Sequence, residues 1–88
     1  MPVNYAEAAK WYRRAAEQGY AEAQHKLGTH YAEGWRVPRN YVLAYMWLSL
    51  AGAEGGAYAD RATVVKGMPE TQIESAKQLL WEWKRTSR

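Results

Sequence analysis

The sequence predicts an all-α fold, a short α/α superhelix of about two and a half helical hairpins with a C-terminal capping helix. Three observations predict it. Residues 2–23 recur at 38–59, an offset of 36 that lies in the range of helix-hairpin solenoids. Apolar residues return at three- and four-residue steps, as an amphipathic helix requires. Glycine, proline and asparagine stand between these segments, where helices start and stop.

The repeat rests on nine identities: Pro2/Pro38, Asn4/Asn40, Tyr5/Tyr41, Ala8/Ala44, Trp11/Trp47, Ala15/Ala51, Gly19/Gly55, Ala21/Ala57 and Ala23/Ala59. They fall on turn residues and on small or aromatic packing residues, not on surface charges. A unit that stacks on its own copy keeps those positions. Trp11 and Trp47 are accordingly expected in the core.

In chain order, Asn4 is a suitable N-cap for a helix over Tyr5–Gln18, with Gly19 as its C′ residue. Tyr5, Ala8, Ala9, Tyr12, Ala15 and Ala16 give it one packing face. A second helix runs from Ala21 to Glu33, stops at Gly34, and packs through Ala23, Leu27, Gly28 and Tyr31. The loop from Gly34 to Arg39 leads to Asn40, again an N-cap, and a helix over Tyr41–Ala53. That helix is large and apolar on every side, so it is expected to have neighbours all round. Its 13 residues are too few to span a bilayer, which needs about 20. Gly55 and Gly56 precede a shorter helix over Ala57–Lys66. Met68 and Pro69 then open a last helix from Glu70 to about Lys84, with Ile73, Ala76, Leu80 and Trp83 on one face.

Eighty-eight residues fit one small domain, and 48% apolar with 24% charged residues fits a soluble globule. The absence of cysteine excludes disulfides, thiolate metal sites and cysteine nucleophiles. Met1-Pro2-Val3-Asn4-Tyr5 lacks the basic start and apolar run of a signal peptide, so no compartment is read from it.

From Ala23 to Gly55 the pattern resembles a Sel1-like repeat, A-x-x-x-L-G-x-x-Y-x-x-G-x-G-V-x-x-D-x-x-x-A-x-x-W-x-x-x-A-A-x-x-G. Ala23, Leu27, Gly28, Tyr31, Gly34, Val37, Ala44, Trp47, Ala51 and Gly55 occupy its spaced positions. Residues 1–19 resemble the second half of a preceding repeat, 20–55 a complete one, and 56–88 a degenerate repeat with a capping helix. The whole chain is then a single Sel1-like repeat domain, related to tetratricopeptide hairpins. Three departures stand out: Arg36 replaces a loop glycine, Asn40 an aspartate, and Gly52 a helical alanine, the last at about 1 kcal/mol. Past Gly55 the pattern decays, with Thr63, Val64 and Gly67 at the Leu, Gly and Tyr positions.

No catalytic constellation is legible. His25 and His30 are five apart and project about 140° from one another on a helix, unlike the i,i+4 pairs that bind zinc. Ser49 lies inside the most apolar helix, Asp60 is the only aspartate, and no phosphate-cradling glycine motif is present. The reading is a non-enzyme with no cofactor or metal. Nucleic-acid binding has some support in Lys77, Lys84, Arg85 and Arg88 beside Trp81 and Trp83, and in Arg13-Arg14 beside Tyr12. A net charge of +3 with interspersed acids is far below the usual basic footprint, and makes it the weaker reading.

The resemblance implies a bacterial protein–protein interaction scaffold, with partners on the concave surface lined by the first helix of each pair. On this chain that surface would present Glu22, His25, Lys26 and Thr29, and 36 residues on Tyr58, Arg61, Ala62 and Val65. Trp35, a loop tryptophan without a repeat counterpart, is a further candidate. The rival reading is homo-oligomeric assembly through Met46, Leu50, Trp81 and Trp83, since Trp81 and Trp83 project about 160° apart and one stripe hardly holds both.

Overall fold

The computed structural model describes residues 5–34, 38–52 and 56–86. They form five helices and no strand: α1 (Tyr5–Glu17), α2 (Ala21–Glu33), α3 (Tyr41–Ala51), α4 (Ala57–Lys66) and α5 (Glu70–Thr86). Asn4, Trp35, Arg36, Val37, Gly55 and Arg88 lie outside the described residues.

Local chemistry sets most boundaries. α1 ends in the paired bonds of a Schellman motif, with the Gly19 N–H donating to the Ala16 carbonyl and the Tyr20 N–H to that of Ala15, both at 3.1 Å. Gly34 closes α2 in the left-handed region. Asn40 caps α3, its Oδ1 accepting the Leu43 N–H at 3.1 Å. The Asn40 N–H donates to the Tyr31 carbonyl and ties the start of α3 back to α2. Pro69 precedes α5, and its carbonyl accepts the N–H groups of Gln72 and Ile73.

One boundary differs from expectation. α3 stops at Ala51, not Ala53, because Gly52 has φ 68° and ψ −138°. Its N–H donates to the carbonyls of Leu48 and Ser49. Gly52 is therefore a helix terminator, not a weak link inside a helix.

α3 is the hub. It packs against α2, α4 and α5, and Ala44, Tyr45, Met46, Trp47, Leu48 and Ser49 form an unbroken buried run. One cluster joins Ala44, Tyr45, Leu48 and Ala51 to Ala57, Val64, Met68 and Ala76. The other joins Met46 and Trp47 to Ala16 of α1 and to Ala23 and Leu27 of α2. Leu79, Leu80 and Trp83 of α5 close over this second cluster. α2 and α3 approach closely where Gly28 meets Leu48. Gln24, buried on α2, donates from Nε2 to the Ala16 carbonyl at 3.0 Å and fixes the α1–α2 corner.

The expectation that both repeat tryptophans are core residues holds for Trp47 and fails for Trp11, which is 67% exposed. The indole of Trp47 is covered edge-on by that of Trp83, ring centroids 5.1 Å apart at 68°. Trp11 stands on an exposed flank of α1 beside Glu7 and Lys10, with the Arg14 guanidinium 6.0 Å from its ring centre. The two helices differ in kind. Met46, Ser49 and Leu50 of α3 have as their counterparts, 36 residues earlier, the exposed Lys10, Arg13 and Arg14 of α1. α1 thus carries exposed charged side chains at positions where α3 carries buried or half-buried ones.

Candidate interaction face

The first helices of successive hairpins, α2 and α4, run side by side above α3. His25 and Asp60 join them, with Nε2 and Oδ2 2.6 Å apart. Beyond this bridge the helices enclose a pocket of about 190 Å³. Thr29, Ala32 and Glu33 line it from α2, and Asp60, Thr63 and Val64 from α4. Both sets follow the i, i+3, i+4 spacing of one helix flank. Tyr41 and Leu48 of α3 form its floor, and its lining is more apolar than polar.

The hydroxyl protons are already placed. Thr29 Oγ1 donates to the His25 carbonyl at 3.0 Å, and Thr63 Oγ1 to the Ala59 carbonyl at 3.2 Å. Each threonine oxygen therefore keeps only lone pairs to offer.

Of the residues expected on this surface, Glu22, His25 and Thr29 share the α2 flank that faces α4. Glu22 is exposed, and His25 and Thr29 are half-buried. Lys26 is exposed but turns to α1, its Nζ 5.9 Å from the Tyr12 ring centre. The α4 candidates fall on the other flank. Arg61 reaches α3, donating from Nη1 to Ser49 Oγ at 3.1 Å, with its guanidinium 5.5 Å from the Tyr45 ring centre. Tyr58, 49% exposed, stacks on the opposite side of that network, 4.6 Å from the Arg61 guanidinium carbon. Val65 is half-buried against the first core cluster. Trp35 lies outside the described residues.

The residues sequence reasoning missed are Glu33, Asp60, Thr63 and Tyr41. Asp60 stands out in the sequence only as the single aspartate. Its place one residue before the counterpart of His25 was the available signal.

The four self-association candidates divide as well. Met46 is 3% exposed and packed inside the second cluster, so it offers no outward surface here, which corrects that expectation. Trp83 is spent largely on Trp47, and Leu50 is half-buried. Trp81 alone is well exposed, at 57%, with the Arg85 guanidinium 4.9 Å from its ring centre. A second, shallower groove runs between the end of α1 and α5, lined by Glu17, Gln18, Leu50, Trp83 and Lys84 among others. The histidines do not converge: His25 pairs with Asp60, and His30 stands edge-on to Tyr12. Among the described residues no group of three His, Asp or Glu is placed to hold a metal ion. None of the described helices is long and apolar enough to cross a membrane.

Residues 1–20 and 21–56 match the Sel1 repeat. The chain belongs to the Sel1 repeat family. The second match spans α2, the connecting loop and α3, and the first covers α1. Sel1 repeats generally mediate protein–protein interaction, and their proteins are generally non-catalytic scaffolds. No curated protein matches the sequence.

Proposed function

We propose that this Sel1 repeat chain is a non-catalytic interaction module that receives a peptide or protein segment on the face shared by α2 and α4. The observation that supports this best is the clefted seam beside the His25–Asp60 bridge. Two helix flanks are held side by side there and leave apolar side chains open to a ligand between them. Such a site works by shape and side-chain complementarity. Glu22, His25 and Thr29 on α2 lie along its length.

The test is selection of dodecamer peptides from a random display library on the immobilised full chain, followed by binding of the selected peptides to variants. Thr63→Trp, which fills the pocket from an exposed position, is expected to weaken binding more than tenfold. Glu74→Arg, on the far side of α5, is expected to leave it unchanged. Peptides that bind wild type and Thr63→Trp equally would place the interaction elsewhere.

A second reading has one observation in its favour. Trp81 and Trp11 are both exposed, each beside an arginine, and tryptophan and arginine are the residues that dominate protein interfaces. Self-association through them would raise the molar mass above 10.1 kDa with increasing concentration in light scattering. Trp81→Lys would reverse the rise.

A further inference from the structure

We propose that the α2–α4 pocket takes the side chain of a lysine or arginine supplied by the partner. This rests on the reading of that face as the partner surface, and it follows from the groups that the described pocket wall carries. Among the described residues no Lys or Arg lines the pocket, while two carboxylates, Glu33 and Asp60, do. The Arg39 guanidinium lies 5.9 Å from the Tyr41 ring centre and is not part of the lining.

The hydrogen-bond inventory points the same way. The Thr29 and Thr63 hydroxyls donate inside their own helices and turn only acceptor lone pairs to a ligand. Carboxylates are acceptors alone when ionised. The Asp60 oxygen not facing His25 is free for a second donor. Apart from the Tyr41 phenol, which can act either way, the polar wall accepts and does not donate. A ligand that brings acceptors, such as a carboxylate or a phosphate, would find repulsion and, among the described residues, no side-chain donor but the Tyr41 phenol. A ligand that brings several donors and a positive charge would be matched.

The shape favours a long amphipathic side chain over a compact cation. Ala32 and the Tyr41 ring, backed by the buried Leu48 and Val64, give an apolar bed, and Glu33 and Asp60 stand at the exposed rim. Lysine and arginine lay their methylene stems along such surfaces and carry the charged head to the wet edge. The volume of about 190 Å³ exceeds the roughly 150 Å³ cavity known to hold benzene, so a stem of four or five atoms has room.

The experiment is a double-mutant cycle on the full chain, using a display-selected dodecamer and its Lys→norleucine (or Arg→norleucine) version, read by fluorescence anisotropy. Selected peptides are expected to share a basic residue. Its replacement by norleucine keeps the stem and removes the charge, and is expected to weaken binding about fivefold, the upper range for exposed ion pairs. On Glu33→Gln the same replacement is expected to cost less than twofold. Asp60→Asn serves as a second variant, with thermal melting to show that loss of the His25 bridge has not unfolded the chain. Two results would overturn the inference: enriched peptides without a shared basic residue, or equal norleucine effects on wild type and both variants. If those peptides still lose binding on Thr63→Trp, the face remains the partner surface and only the basic side chain is wrong. If no peptide is selected at all, both readings fall together.

Discussion

A Cβ placed on Gly28 would lie 2.7 Å from Cγ of Leu48. It would also lie 2.9 Å from Cδ2 and 3.2 Å from the Leu48 backbone nitrogen. The closest of these is a branch carbon, not the tip of a flexible chain, and the third belongs to α3 itself. Gly28→Ala is therefore expected to push α2 away from α3. Helix propensity gains about 1 kcal/mol from the change, and overpacking costs about 1–3 kcal/mol. The net outcome is a loss of about 1 kcal/mol in urea denaturation. Leu48→Ala removes the two closest contacts and leaves the backbone one, so the double variant is expected to lose less than the two single losses added together.

Trp81 and Trp83 are expected to separate cleanly. Trp83→Ala removes the edge-on partner of Trp47 and opens the second core cluster, which should cost about 2–3 kcal/mol for a half-buried tryptophan. Trp81→Ala, at an exposed site, should stay within about 0.5 kcal/mol. Equal losses for the two would contradict the packing of α5 on α3.

Gly52→Ala tests backbone conformation alone. Among the described residues a Cβ there would meet only the Tyr58 hydroxyl, at 3.8 Å, so space is not the difficulty. The φ of 68° with ψ of −138° is a region L-residues avoid, and holding alanine in it costs about 1–3 kcal/mol. Were Gly52 merely inside a helix, the same substitution would stabilise by about 1 kcal/mol. The sign of the change in thermal midpoint decides between the two.

The bridge between His25 and Asp60 is half open to water, with side-chain exposures of 21% and 51%. A pair of that kind contributes about 0.2–1 kcal/mol and weakens with salt. A cycle of His25→Ala and Asp60→Ala should give a coupling in that range at low ionic strength and less at 1 M salt. A larger, salt-independent coupling would mean that the bridge holds the two helices together rather than setting their spacing.

Much of the fold was legible because its boundaries are chemical. Gly19, Gly34, Asn40 and Pro69 each act locally, and a local signal survives without knowledge of neighbours. Trp11 was misread because the 36-residue register gives equivalence of sequence, not of surroundings. Its counterpart Trp47 is buried by Trp83, itself 36 residues further on, an identity that extends the register into α5.

The pocket was half legible for a related reason. Translation by one repeat carries the forward flank of α2, with His25 and Thr29, onto the forward flank of α4, with Arg61 and Val65. A cleft between two helices is made instead by the forward flank of one and the rear flank of the next. Asp60, Thr63 and Val64 hold that rear flank, one turn of reasoning beyond the alignment.

The central place of α3 bears on how the molecule comes apart. Arrays whose units touch only their neighbours lose structure from the ends inward. Here the last helix returns to the middle, so α2, α4 and α5 all lean on one eleven-residue segment. Releasing α3 exposes both apolar clusters at once. The slowest-exchanging amides should lie in α3 and in the α2 and α5 turns against it, and they should open together, with the free energy of global unfolding. α1, packed mainly on α2 and reaching α3 near Ala16, should fray separately and earlier.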